Sequence, residues 1–286
     1  MARRYIPVQA LYIGKFIQER MAEQDISPKH LSEQIGKSVS MISRYLSGEY
    51  AIPAEVFLEI LDFLDITQEE ERQQLIALNR DARDFGWVEG FGSYVGKNAN
   101  SAKLEGDAEA IREFELSVMP GILQTEEFAT ALMSAGPKRD DPVAVKRQVE
   151  VRMTRAKVLS KDEAPSAQFL LHESILRQRV GGDGVTARQF EHLLNLSKRP
   201  NVEIRVLPEE TWSHIAEGIV TGFTLYHLPS PLPVVVYIDN STGAMYSQDP
   251  DIDLFKKAFD ALWAGEALTP EASLARIAQE LKDVTK

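Results

Sequence analysis

The sequence predicts an all-α N-terminal domain of four to five helices followed by a larger α+β domain. Three observations predict it. Residues 1–80 carry apolar side chains at helical spacing, residues 81–101 are rich in glycine without a helical period, and from Ala102 onward strand-like alternation is mixed with helical stretches. A length of 286 residues suits two domains, and 44% hydrophobic residues is enough to bury ordinary cores.

In the first domain Ile13, Ile17 and Met21 form one helical stripe. The next stretch, ISPKHLSEQIGKSVSMISRYLSG from Ile26 to Gly48, reads as two short helices joined by a glycine turn. Ser27 suits an N-cap and Pro28 the first helical position, where its missing N–H costs nothing. Leu31 and Ile35 share a face, and Gly36 follows where the chain must leave the helix, which a residue without Cβ does cheaply. Ser38 can cap the second helix of the pair, with Ile42, Tyr45 and Leu46 inward and Val39, Ser40, Met41 and Arg44 outward. Downstream, AIPAEVFLEILDFLDI supplies a fourth helix with Phe57, Ile60, Leu61 and Leu64 inward, and Thr67 with Glu70 reads as a capping box opening a fifth.

This order resembles the lambda-repressor-like (XRE/Cro) helix-turn-helix family over roughly residues 8 to 66, most specifically from Leu31 to Gly48. Two positions depart from the family pattern: Pro28 stands where Gln is frequent, and Leu46 where Glu is frequent. The resemblance implies that the second helix enters the major groove of double-stranded DNA while the first crosses the phosphates. Val39, Ser40, Met41 and Arg44 are then the base readers; Arg44 has the planar fork that matches guanine O6 and N7, and Val39 or Met41 suits a thymine methyl. Lys29, Lys37, Ser38, Ser43 and Ser47 are placed for phosphates. The plainer alternative is a pair of amphipathic helices in any helical domain.

Residues 81–101, DARDFGWVEGFGSYVGKNANS, read as a connection that Phe85, Trp87, Phe91 and Tyr94 make packed rather than free. The second domain, 102–286, then reads as follows. A helix runs from Ala102 through Ile111, a strand lies in REFELSVMPGILQT ending at Pro120-Gly121, and EEFATALMSA is a helix. Asp141-Pro142 starts a long helix to about Leu159 with Val145, Val149, Met153 and Ala156 buried, and with Lys146, Arg147, Arg152, Arg155 and Lys157 on its other faces. AQFLLHESIL gives a strand and a helix start, VGGDG a turn, and ARQFEHLLNLSK a helix. NVEIRVLP, GFTLYHL, PVVVYID and GAMYSQ read as strands, the last two as a hairpin around Asn240-Ser241-Thr242. Asp249-Pro250 and Thr269-Pro270 start the final two helices.

The order of REFELSVMPGILQTEEFATALM, VEVRMTRAKVL, HESILRQRVGG, RPNVEIRVLPE, GFTLYHL, VVVYID and FDALWAGEAL, from about Leu104 to Leu281, resembles the C-terminal domain of actinobacterial WhiJ-like, antitoxin-like transcriptional regulators. That resemblance implies a dimerisation and sensing domain that works beside a small partner protein encoded nearby; a small-molecule effector is the other partner expected of it.

Net charge is −11, an unexpected sign for a DNA binder, since phosphate neutralisation carries much of the affinity. The distribution is uneven. Residues 1–50 hold seven Lys+Arg against five acids, a balance of +2, which leaves 25 bases and 38 acids elsewhere, a balance of −13. An acidic body behind a mildly basic head suits a homodimer bound to one inverted repeat rather than a protein that coats nucleic acid. No apolar run approaches the ~18 residues of a membrane span, and the N-terminus lacks a long apolar h-region, so the expected location is the cytoplasm, associated with the nucleoid.

Zero cysteines exclude disulfides, thiolate zinc sites and cysteine nucleophiles. The five histidines show no His-x3-His spacing, VGGDG lacks the Gly-Lys-Ser/Thr of a phosphate loop, and no nucleophile-base-orienter set is visible, so neither cofactor, metal nor catalysis is expected. A ligand pocket in the second domain has four candidate residues, Gln124, Arg152, Arg155 and His214. Gln124 follows a turn that feeds a helix N-terminus, which suits an anion or simply holds that helix. Arg152 and Arg155 suit an acidic ligand or salt bridges, and His214 a pocket mouth or plain packing. Two functions stay open: a sequence-specific transcriptional regulator, and a protein-interaction module that sequesters a small partner and regulates itself.

Overall fold

The computed structural model describes residues 7–84, 99–213, 218–240, 243–247 and 251–286, and falls into two units, 1–90 and 91–286. Phe85, Trp87, Phe91 and Tyr94, the turn residues Ser241-Thr242, the Asp249-Pro250 helix start and His214 lie outside the described residues.

The first unit holds α1 (Val8–Glu23), α2 (Pro28–Ile35), α3 (Val39–Leu46), α4 (Ala54–Phe63) and α5 (Glu69–Asp81). Local chemistry sets the pair α2 and α3 as expected. The Ser27 hydroxyl accepts the His30 N–H at 3.2 Å, Gly36 leaves α2 in the left-handed region at φ 66, and the Ser38 hydroxyl accepts the Met41 N–H at 3.2 Å. The stripes from all five helices meet in one apolar core centred on Ile17, Leu31, Ile42, Phe57 and Leu61.

Two expectations need correction. Thr67 does not cap α5; the helix starts at Glu69 after Gln68, without a side-chain cap. The reason lies in the preceding helix, whose end is closed by Asp65 at φ 55 and by the Ile66 N–H donating to the Leu61 carbonyl at 2.9 Å. Ile66 is thereby buried in the core, and the acids Glu69, Glu70 and Glu71 support the α5 N-terminus through its dipole instead. Met41 is the second correction: it is half-buried against the core rather than facing outward, and Leu46, expected inward, is also only half-buried against that core.

A glycine sets the distance between α1 and α3. A Cβ at Gly14 would lie 2.3 Å from the Leu46 carbonyl oxygen, so the α1 backbone sits directly on the C-terminal end of α3. One turn further on, Gln18 Nε2 donates to that same carbonyl at 2.7 Å.

The second unit is built on a six-stranded sheet of order β3-β2-β1-β4-β5-β6. The strands are β1 (Ala110–Glu115), β2 (Ser166–His172), β3 (Val202–Leu207), β4 (Phe223–His227), β5 (Val235–Asn240) and β6 (Gly243–Ser247). β1 to β3 pair in parallel, with Ala110 opposite Ser166 and Ala167 opposite Val202, whereas β4 to β6 form an antiparallel meander that joins β1 with Ala110 opposite His227. The helices are α6 (Ala99–Asp107), α7 (Glu126–Ser134), α8 (Pro142–Ala156), α9 (Asp183–Leu196), α10 (Asp251–Ala261) and α11 (Pro270–Val284).

Here too the boundaries shift. α6 ends at Asp107, and Ile111 belongs to β1, because the ladder to β4 takes the backbone from Glu109, whose N–H donates to the His227 carbonyl at 2.8 Å. α9 begins at Asp183, inside VGGDG, after Gly181 and Gly182 turn the chain at φ 72 and 84. On α8, Val145 and Val149 are buried as expected but Met153 and Ala156 are only half-buried, and Val151 is buried on another side. Arg155 is also buried, so the basic surface expected along α8 does not extend to it.

The two faces of the sheet differ chemically. Phe114, Leu170, Phe223, Leu225 and Val236 pack against Phe259, Leu262 and Trp263 of α10 and the π turn that follows it. Alternation puts Glu113 and Glu115 of β1 on the opposite face, beneath α6 and α8. Among the described residues no helix is long and apolar enough to cross a membrane.

Alanine normally exceeds glycine in helix propensity by about 1 kcal/mol. For Gly14→Ala the sign should reverse, with a loss of roughly 1–3 kcal/mol from overpacking against α3. Denaturant unfolding of the full chain reads this; a neutral or stabilised variant would mean that α1 backs away from α3 freely.

Candidate functional site

The head presents one polar helix face. Along α3, Val39, Ser40, Ser43, Arg44 and, just past its end, Ser47 are all exposed at i, i+1, i+4, i+5 and i+8, while Ile42 and Tyr45 anchor the other side in the core. Val39 is 47% exposed, unusual for a β-branched apolar residue that could have been buried. Arg44 keeps 45% of its side chain exposed and is steadied from one side: its guanidinium lies 5.2 Å from the Tyr50 ring centroid, with Glu49 at 4.0 Å. Such a stacked, half-restrained guanidinium loses less rotamer freedom on contact than a free one.

The remaining predicted head residues divide by what they already bond. Lys29 is exposed and 3.9 Å from Glu33, and Lys37 is exposed at the turn. The Ser38 hydroxyl is occupied in capping α3, and the Ser47 hydroxyl donates to the Arg44 carbonyl at 3.2 Å.

In the second unit a cavity of about 480 Å³ opens between α6, α8 and the inner face of β1, β4 and β5. Its charged lining comes from Glu105, Glu113, Glu115, Arg152 and Arg155, and hydroxyls come from Ser101, Thr224, Tyr226 and Tyr237 among others. Strand register aligns part of this wall, since Glu113 faces Thr224 across the β1–β4 ladder and Thr224 faces Tyr237 across β4–β5. Glycines make room for two of the long side chains. A Cβ at Gly121 would meet Arg152 Nη1 at 2.5 Å, and one at Gly222 would meet the Glu115 carboxylate.

Of the four residues predicted for a pocket, Arg152 and Arg155 are brought together on this wall. Gln124 is not part of the wall. It is buried in the loop before α7, where its Nε2 donates to the Met119 carbonyl at 2.8 Å, while Thr125 caps α7 by accepting the Phe128 N–H at 3.2 Å. That turn therefore holds a helix. Glu105, Glu113 and Glu115 were missed by the sequence reading, although Glu-Phe-Glu in β1 carried a signal: alternation necessarily sends both acids to the face opposite Phe114.

The electrostatics of the wall are set by burial. Arg155 donates from Nε to Glu105 Oε2 at 2.9 Å and from Nη2 to Oε1 at 2.6 Å, with 9% and 4% of the two side chains exposed. Burial works against the Arg155 charge, but the facing carboxylate and its hydrogen bonds outweigh it and raise its pKa, so the guanidinium stays protonated. Glu113 is pushed the other way. Burial, then the negative charges of Glu115 and Glu105, raise its pKa well above the usual carboxylate range, and Arg155 and Arg152 offset only part of this. Burial likewise raises the Tyr226 phenol.

Removing one partner of a buried ion pair strands the other, so Arg155→Met should destabilise the second unit by roughly 3–5 kcal/mol. Unfolding measurements on the full chain check this, and the double variant Arg155→Met with Glu105→Leu should recover much of the loss. For Glu113 the sign follows from its raised pKa. Its favourable contribution is complete below the usual carboxylate range and is lost as pH rises through the higher folded value. Glu113→Gln should therefore stabilise the protein near neutral pH and confer no gain in acid; equal effects in both would contradict the shift.

Comparison with known proteins gives two matches. Residues 17–70 match the Helix-turn-helix family. Residues 99–279 match the family described as Domain of unknown function (DUF5753), a span that includes every residue of the cavity wall. No curated protein and no solved structure matches the chain.

Proposed function

The chain belongs to the DUF5753 family, and from its helix-turn-helix head we infer that it is a sequence-specific transcriptional regulator acting as a homodimer on an inverted repeat. DNA binding itself follows from the helix-turn-helix family. The finer reading rests on one observation: the exposed stripe Val39, Ser40, Ser43, Arg44 and Ser47 on a helix whose other side is locked into the core.

In this reading α3 lies in the major groove. Arg44 donates to a guanine edge, Val39 packs on a thymine methyl, and Ser40 bonds a neighbouring base. Met41, half-buried, contributes through its exposed part only. Lys29, Lys37 and Ser43 meet phosphates and fix the register. Ser38 and Ser47 already bond backbone groups, so their share is smaller. Two-fold symmetry would place half-sites one helical turn apart, ~34 Å, or a multiple of it. The domain from residue 102 onward, which resembles WhiJ-like regulators, supplies dimerisation and senses a ligand or partner.

Selection of bound fragments from random DNA by the purified full chain should enrich a short palindrome. On that site Arg44→Ala should cost ~1–3 kcal/mol and relax preference at one base pair, whereas Lys37→Ala should weaken cognate and scrambled DNA alike and lower the salt slope by about one. Equal losses on both DNAs for Arg44→Ala would remove it from the readers, and absence of any enriched sequence would overturn the regulator reading.

A further inference from the structure

We propose that the cavity under α6 and α8 is a binding site for a small hydroxyl-bearing organic cation, with Glu113 receiving its ammonium group. The argument starts from charge. Among the described residues three carboxylates and two guanidiniums line the cavity, and the bidentate pair of Arg155 with Glu105 satisfies one of each. That leaves the carboxyl of Glu113, which no such pair holds, to meet an added cation.

Position singles out Glu113. It sits on a central strand of the sheet, flanked by β2 and β4, where an apolar residue would normally be buried. It makes no hydrogen bond or ion pair among the described residues, although Arg155 lies close enough to act on its charge and bonds Glu105 instead. A carboxylate in such a place destabilises the fold unless something compensates it. The cavity beside it is large enough for a molecule of amino-sugar size, and the neighbours in its row, Thr224 and Tyr237, line it with hydroxyls for the rest of such a ligand. A bound ammonium would also draw Glu113 into its ionised form, since an opposite charge at contact distance favours it.

This inference rests on the reading of the second domain as a sensor, so ligand binding and DNA affinity are measured separately. Calorimetry on the full-length protein near neutral pH would use two hydroxyl-bearing ammonium probes, ethanolamine and glucosamine, with N-acetylglucosamine as the neutral match of the second. At least one ammonium probe should bind saturably, with glucosamine preferred over its N-acetyl form by about ten-fold or more, the step of one strong charge contact. Glu113→Gln should abolish that preference while remaining folded, as its thermal unfolding would report. Thr224→Val should weaken binding but keep the preference. No binding by either amine, or an undiminished preference in Glu113→Gln, would overturn the site and leave DNA recognition standing. Binding that leaves DNA affinity unchanged would uphold the site and remove its role in sensing.

Discussion

An eight-residue helix has almost no stability of its own, because nucleation is unfavourable and few hydrogen bonds follow it. That constraint governs the head. α3 exists because Ser38 closes its N-terminus, Ile42 and Tyr45 are drawn into the core, and α1 lies against its last carbonyl through Gly14 and Gln18. Once three sides are spoken for, the fourth is left polar and rigid. Rigidity serves the base readout proposed for α3, because that readout depends on bidentate geometry, which a fraying helix would lose. Leu46 fits the same logic. Where related heads often carry a glutamate, this one places a half-buried leucine, and Gln18 on α1 takes the exposed carbonyl.

The second domain faces a different constraint, the desolvation of charge on the inner face of a sheet. One face is ordinary, with aromatic rings interlocked; Phe223 meets Phe114, Phe255 and Phe259 edge to face at 5.7, 5.0 and 6.5 Å. Even its cations serve packing, since Arg205 stacks 4.4 Å from the Trp263 centroid and Arg112 lies 5.2 Å from that of Phe259. On the opposite face burial is incomplete and charged. A buried ion pair is weak evidence for stability, because its attraction mainly repays desolvation. The Arg155 to Glu105 pair is therefore better understood as a fixture that shapes a polar wall.

How much of this was legible follows from whether the deciding contact was local. The caps at Ser27 and Ser38, the left-handed Gly36 and the start of α11 at Thr269 depend on residues within one turn, and all read correctly. Thr67 misled because the end of α4 decided where α5 could begin. Ile111 misled because a helical pattern and a strand pattern overlap there, and pairing with β4 decided between them. Arg155 reads as surface from composition, and only the approach of α6 reveals its buried partner. Glu113 and Glu115 are the hardest case. Pattern reading takes charge as outward, whereas here the outward direction of the strand leads into a cavity.

The acidic surplus bears on DNA recognition in a way that follows from screening. At physiological salt, charge beyond about 8 Å is largely hidden, so a duplex on the head senses mainly the charges nearest to it. Within that range the head has few cations, and Arg44 itself lies near Glu49. Counterion release is therefore small, and non-specific affinity falls with it. A regulator built in this way gains little from wandering along arbitrary DNA. In the proposed homodimer its residence depends on two heads meeting two half-sites at once, where the second contact profits from the high effective concentration that linkage to the first provides. Base readout by α3 and the geometry that holds two copies of it then become inseparable, and any ligand effect on spacing would act directly on occupancy.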